Sequence, residues 1–151
     1  MKNTNEMELI FDSYASNEGF ARVAVAAFLT QLNPTLEEVS DVKTAISEAV
    51  TNAIIHGYGE EIHKIIIKCH IEGQTLYVEV MDEGTGIEDI EKAMEPLFTT
   101  KPELERSGMG FAFMEAFMDE IQVISELGNG TCVKMQKTIG KGRDLWITQS
   151  L

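Results

Sequence analysis

The run from Leu36 to Tyr58 constrains this chain more than any other stretch. Leu36, Val39, Val42, Ile46, Val50, Ala53 and Ile54 recur at steps of three and four residues, the period of one face of an amphipathic helix. With Thr35 placed to cap its start and Gly57 to stop it, the spacing predicts a long helix from about Leu36 to His56. Glu48, Asn52 and His56 fall at i, i+4 and i+8, one row of polar groups beside the apolar stripe, flanked by Ala45, Ala49 and Ala53. Small neighbours leave room for a ligand to approach a carboxylate and an amide, and hard oxygen donors of that kind suit Mg²⁺ on a phosphate compound. A solvated charge is the commoner fate of a Glu on a helix. Asn in a helix interior competes for backbone hydrogen bonds, so Asn52 calls for a local reason.

At 151 residues and 44% apolar composition, the chain holds one sizeable core and is too short for two enzymatic domains. A single domain over residues 1–139 is expected, with residues 140–151 as an aperiodic tail, either disordered chain or a late partner contact. The net charge of −13 disfavours direct contact with nucleic acid or an anionic membrane. The polar start Met1 to Glu6 is no secretory signal, and no apolar run approaches the roughly 20 residues of a membrane helix, so a soluble, cytoplasmic protein is expected. Cys69 and Cys132 lie in apolar runs without CxxC spacing and read as reduced, packed thiols.

In chain order, Met7 to Tyr14 predicts a short strand. A helix follows Asn17-Glu18-Gly19 with Phe20, Val23, Ala27, Phe28 and Leu32 on its inner face and Arg22 exposed, ending at Asn33-Pro34. Lys64 to Ile71 reads as a buried strand, paired as an antiparallel hairpin with Thr75 to Met81 across Glu72-Gly73-Gln74. The long segment from Asp82 to Gly110 carries at most one short helix around Ile87 to Met94 and reads as a functional lid. A short helix over Phe111 to Met118 and two strands, Glu120 to Ser125 and Thr131 to Thr138, complete the pattern.

Three further constellations accompany the helix row. In Asp82-Glu83-Gly84-Thr85-Gly86-Ile87, a carboxylate at a strand end can accept the exocyclic amine of adenine and reject the oxygen that guanine presents there, while Gly84 and Gly86 let backbone approach a ring. An ordinary Asp-Gly turn is the competing reading. In Ser107-Gly108-Met109-Gly110-Phe111, glycines open a helix whose free amides form an anion site, or else Ser107 simply caps it. Thr99, Thr100, Lys101 and Arg106 add hydroxyls and positive charge on the same lid. Gly128-Asn129-Gly130-Thr131 is first of all a hairpin signal, though Thr131 can reach a base edge.

Taken together, Glu48 to Tyr58, Asp82 to Ile87, Ser107 to Phe111 and Gly128 to Thr131 resemble the N, G1, G2 and G3 boxes of the GHKL ATPase and kinase superfamily. Within it, the run from Pro96 to Gly110 is similar to that of the anti-sigma serine kinases of endospore-forming bacteria. The resemblance covers roughly Met7 to Thr138; the tail and the residues between Tyr58 and Lys64 depart from the pattern. It implies an α/β (α+β) two-layer sandwich, the Bergerat ATP-binding fold, with helices on one face of a mixed, mostly antiparallel sheet. It implies ATP or ADP with Mg²⁺ as ligands, Asn52 on the metal, Glu48 as general base and Asp82 on the adenine amine. Gly84, Gly86 and Thr131 would lie near the base, Gly108, Met109 and Gly110 on phosphate, Thr99 and Thr100 beside them, and Arg106 and Lys101 at the γ-phosphate. The implied partners are a sporulation sigma factor of the sigma-F type and a serine-bearing anti-anti-sigma protein of the STAS fold. Homodimerisation is implied too, with Arg22 on the partner surface.

Three functional classes follow: a serine kinase that doubles as an anti-sigma factor, or its stress-response paralogue; a nucleotide-gated sigma-binding module without useful kinase activity; and the ATPase half of a histidine kinase. No helical hairpin bearing a phosphoacceptor histidine precedes the fold, which disfavours the third. Retention of both Glu48 and Asn52 favours the first over the second.

Overall fold

The computed structural model describes residues 4–95 and 110–140. The chain forms β1 (Thr4–Asp12), α1 (Ser16–Leu29), α2 (Leu36–Asn52), β2 (Lys64–Glu72), β3 (Thr75–Asp82), α3 (Ile90–Ala93), α4 (Gly110–Phe117), β4 (Glu120–Ser125) and β5 (Thr131–Thr138). The strands make one sheet in the order β1-β2-β3-β5-β4. Every described pairing is antiparallel, so the mostly antiparallel sheet expected is wholly so among these strands. Period-two alternation decides which side is dry. Ile65, Ile67, Cys69 and Ile71 on β2, Leu76, Val78 and Val80 on β3, and Val133 and Met135 on β5 are buried beneath the helices. Burial also pushes the Cys69 thiol up to about 12, as expected of a packed, unreactive cysteine.

α2 lies at the centre of the helical layer, packed against α1 on one side and α4 on the other. Val42, Ala45, Ile46, Ala49 and Val50 are its buried residues. Its start is fixed by a capping box: Glu38 N donates to Thr35 Oγ1 at 3.1 Å, and Thr35 N donates to Glu38 Oε1 at 2.9 Å. Its end differs from the expected plain stop near Gly57. The last six residues, Ala53–Tyr58, open into a π turn closed by Gly59 at φ +63°. Such turns are rare and cluster at functional sites.

The face of α1 is a correction to the reading from sequence. Ala21, Val25 and Leu29, continued by Leu32 in the 3₁₀ turn that follows, are the buried set, whereas Phe20 and Val23 are more than half exposed. Two apolar stripes run side by side on this helix, and α2 selects the one with small residues at the close approach. Arg22, expected to be exposed, keeps 41% of its side chain accessible, while its Nε lies buried 3.9 Å from Glu18 and makes no hydrogen bond among the described residues. The strand predicted over Met7 to Tyr14 is displaced toward the N-terminus, ending at Asp12, because Ser13 turns away to hydrogen-bond with His63 and Glu61.

Candidate functional site

A cleft of about 820 Å³ opens between the end of α2, the ends of β3 and β5, and the α3 segment. Its apolar floor comes from Ala49 and Ala53 on α2, Val80 on β3, Val133 on β5, Phe111 on α4, and Ile87. Asn52 and His56 enter it from α2 and the π turn, one helical turn apart as the spacing predicted. Asp82, Gly86, Thr131 and Gly110 also line it.

Glu48 lies elsewhere. It lines a second groove of about 450 Å³ between α1 and α2, together with Arg22, Lys43 and Ser47. Ser47 donates a hydrogen bond to Glu18 across the same seam. Asn52 and Glu48 therefore stand one helical turn apart on α2, the first lining the cleft and the second lining the groove beside it.

Asp82 sits in a cage of backbone. Gly84 N donates to Asp82 Oδ1 at 2.9 Å, and a Cβ on Gly57 would come within 2.8 Å of the same oxygen. A Cβ on Gly84 would lie 2.1 Å from the Gly57 carbonyl oxygen, and one on Gly130 would lie 2.1 Å from the Asp82 carbonyl oxygen. The glycines are thus required by close packing of one chain segment on another. Gly84 is not among the residues that line the cleft; its work is to hold the carboxylate. Burial pushes the Asp82 pKa up, opposed by hydrogen bonds from the backbone amides of Gly84 and Thr131.

Two residues that the sequence reading did not single out complete the cage. The Tyr58 hydroxyl accepts from Glu83 N at 2.8 Å and donates to Lys64 O at 2.5 Å, tying the π turn to β2 and to the residue after Asp82. Ser125 Oγ accepts from Ile87 N at 2.7 Å, donates to Gly130 O at 3.0 Å and shares a hydrogen with Thr131 Oγ1 at 2.7 Å. Thr85 closes the wall, its amide on Gly57 O and its hydroxyl on His56 O, each at 2.9 Å. No local motif announces these bonds, whose partners lie 25 to 38 residues away for Tyr58, Thr85 and Ile87. Thr99, Thr100, Lys101, Arg106, Gly108 and Met109 fall outside the described residues, as does the tail beyond Gly140.

A cleft bearing a helix amide, a caged aspartate at a strand end and a hairpin threonine matches one family in sequence: the family described as histidine kinase-like ATPase domain matches residues 14–137. The chain belongs to that family. Among its curated relatives are proteins named anti-sigma F factor. That of Thermoanaerobacter sp. (strain X514) is 59% identical over 143 residues, 95% of this chain and 100% of the relative. Those of Clostridium acetobutylicum and Oceanobacillus iheyensis are 61% and 53% identical over 133 and 143 residues, covering 88% and 94% of this chain and 93% and 98% of theirs. Among solved structures, that of the RsbU and RsbW domains of Rv1364c from Mycobacterium tuberculosis superposes with a TM-score of 0.65. It does so at 18% identity, covering 89% of this chain and 32% of that one. The histidine kinase domain of the Erythrobacter litoralis blue-light activated kinase EL346 gives a TM-score of 0.54 at 18% identity, over 85% of this chain and 64% of that one. Membership of the ATPase family implies that the chain binds a nucleotide. No helix among the described residues is long and apolar enough to cross a membrane.

Proposed function

We propose that the chain is an ATP- and Mg²⁺-dependent protein serine kinase that doubles as an anti-sigma factor, working as a homodimer. It would hold a sporulation sigma factor of the sigma-F type and phosphorylate a STAS-fold antagonist on serine. The observation that supports this reading is the placement of two residues on α2: Asn52 lines the nucleotide cleft while Glu48, one turn earlier, lines a groove beside it. A base at that edge of the cleft can meet a hydroxyl delivered by another protein.

The donor set fits magnesium. Mg²⁺ uses one or two protein oxygens and takes its remaining ligands from phosphates and water, so a single half-buried amide oxygen at Asn52 suffices. Among the described residues no cluster of three His, Cys, Asp or Glu offers an all-protein cage. When bound, the ion neutralises charge on the phosphates. The protein's own residues position the reactants: Asp82 accepts the adenine amine, Thr131 meets the base edge, and Val80, Ile87 and Val133 exclude water from the ring. Glu48 takes the proton of the acceptor serine as its oxygen bonds to Pγ and the Pγ–O bond to ADP breaks. Lys101 and Arg106 are assigned to the γ-phosphate from the sequence; cations there contribute about 10³ to 10⁵ in rate in other nucleotide enzymes.

The test is incubation of the chain with Mg²⁺, γ-labelled ATP and the STAS protein of the same organism, with Glu48→Ala in parallel. Label on a partner serine that disappears in the variant is the expected result. Absence of label despite measured ATP binding would overturn the kinase and leave a nucleotide-gated sigma-binding module.

A further inference from the structure

Leu127 is 64% exposed in the turn between β4 and β5, and it also lines the nucleotide cleft. Of the large hydrophobic residues exposed among the described residues, it alone does so. Turns favour polar and small residues, as its neighbours Glu126, Gly128 and Asn129 are. A single exposed leucine is ordinary on a protein surface. This one stands on backbone that is tied to the wall of the cleft.

Two hydrogen bonds make the tie, one on each side of Gly86. Gly128 N donates to Thr85 O at 2.7 Å, and Ile87 N donates to Ser125 Oγ at 2.7 Å. Within the turn, Asn129 N donates to Glu126 O at 2.9 Å, and Gly128 and Gly130 take φ of +87° and +82°. A Cβ on Gly86 would lie 2.2 Å from Glu126 O and 3.1 Å from Leu127 Cα, so the two segments touch through backbone there. Ile87 follows Gly86 along the chain and Leu127 sits across from it, and all three line the cleft. The inner wall is apolar already, with Val80 and Val133 at 2% and 3% exposure. A flat base seated against that wall has a second side to take out of water, and Leu127 is the apolar surface held at the opening.

We propose that Leu127 is the outer wall of the base pocket, a binding residue that packs against the purine and loses its exposure when nucleotide is bound. The proposal rests on the nucleotide reading of the cleft and adds to it a contact that is blind to the phosphates and the metal. An apolar side chain offers no donor or acceptor, so Leu127 contributes affinity while Asp82 and Thr131 keep the choice of base. Because the turn is fixed before the ligand arrives, little freedom is lost on binding.

The experiment is calorimetric titration of the full chain with ATP and with ADP, each with Mg²⁺ and with a chelator, for the wild type, Leu127→Ala and Leu127→Met. Leu127→Ala should weaken all four affinities by the same factor, about five- to tenfold, the loss of roughly half the burial of three carbon groups. Leu127→Met, which keeps the volume, should stay within about twofold of the wild type. The nucleotide-free melting midpoint should move by no more than about 2 °C in either variant, since the side chain is exposed in the empty protein. In methyl spectra of leucine-labelled wild type, the Leu127 signals, identified by their absence from Leu127→Ala, should shift when ADP is added. Wild-type affinity in Leu127→Ala, a loss that differs between ATP and ADP, a loss that Leu127→Met shares, or Leu127 methyls that ADP leaves unmoved would each overturn the proposal while leaving the nucleotide reading intact. A wild-type chain that binds neither nucleotide would overturn both.

Discussion

At Asp82 the cost of burial and the use of the charge oppose each other. Its folded-state pKa is raised by desolvation, so ionised Asp82 stabilises the empty protein least: the favourable contribution is full below an ordinary carboxylate pKa and is lost as pH rises through the raised value. Asp82→Asn keeps an oxygen for the Gly84 amide and removes the buried charge. Its nucleotide-free melting midpoint at neutral pH should therefore rise by a few degrees, since about 1 kcal/mol moves a domain of this size by roughly 2–4 °C. The same variant should bind ATP at least about tenfold more weakly, because an amide nitrogen replaces an acceptor facing the adenine amine. Binding titrations of the wild type should show the linked effect: affinity falls as pH is lowered through the raised pKa, and a flat profile there would remove Asp82 from the base pocket. Ser125 lines the cleft and also holds Thr131 and Ile87 in place by hydrogen bonds. Ser125→Ala should weaken ATP by about 0.5–1.5 kcal/mol, roughly 3- to 10-fold, and shift the ATP-over-GTP preference; a purely structural hydroxyl would lower the melting point and leave that preference unchanged.

At the scale of elements, how much the sequence revealed depended on whether the deciding contact was local. α2 was readable because period, cap and small flanking residues agree within one segment, and the capping box is visible as Thr35 with Glu38 three residues on. Thr35→Ala should accordingly cost about 1 kcal/mol in denaturant unfolding while leaving nucleotide affinity unchanged, since the cap lies at the far end of the helix from Asn52. The inner face of α1 was misread because Phe20 and Val23 outweigh Ala21 in hydrophobicity, yet only α2 decides which stripe is covered. The π turn was not readable at all. It sits where Gly57 meets both the Asp82 carboxylate and the backbone of Gly84, contacts made across more than twenty residues of chain. Gly84→Ala should expose that dependence: with a Cβ 2.1 Å from the Gly57 carbonyl, the turn and the strand end must part, and ATP binding should be lost together with stability. Of the candidate site, Asn52, Asp82, Gly86, Gly110 and Thr131 converge on the cleft from four separate segments, and Glu48, one turn back on α2, lines the neighbouring groove.

For the whole molecule, the function proposed above gives Asn52 and Glu48, one turn apart on α2, separable roles. A group on the wall of the cleft affects nucleotide affinity, and a group on the wall of the groove meets only what arrives from outside. Asn52→Ala removes the sole protein oxygen assigned to the metal, so it should erase most of the difference between ATP affinities measured with Mg²⁺ and with a chelator, leaving the metal-free affinity near that of the wild type. Glu48→Ala should do the reverse. Its ATP and ADP affinities should stay within about threefold of the wild type, while transfer to a partner serine falls by about 10² to 10⁴, the usual contribution of a positioned general base. On the function proposed above, sigma-factor capture depends on bound nucleotide and not on proton transfer, so it should survive in the Glu48 variant provided the groove keeps its shape. Glu48→Gln, which preserves volume and hydrogen bonding, separates the two demands: capture without transfer in both variants assigns Glu48 to the chemistry, whereas capture in Glu48→Gln but not in Glu48→Ala makes it part of the docking surface instead. Parallel loss of nucleotide affinity and transfer in either variant would return Glu48 to the cleft and end the distinction between the two walls of α2.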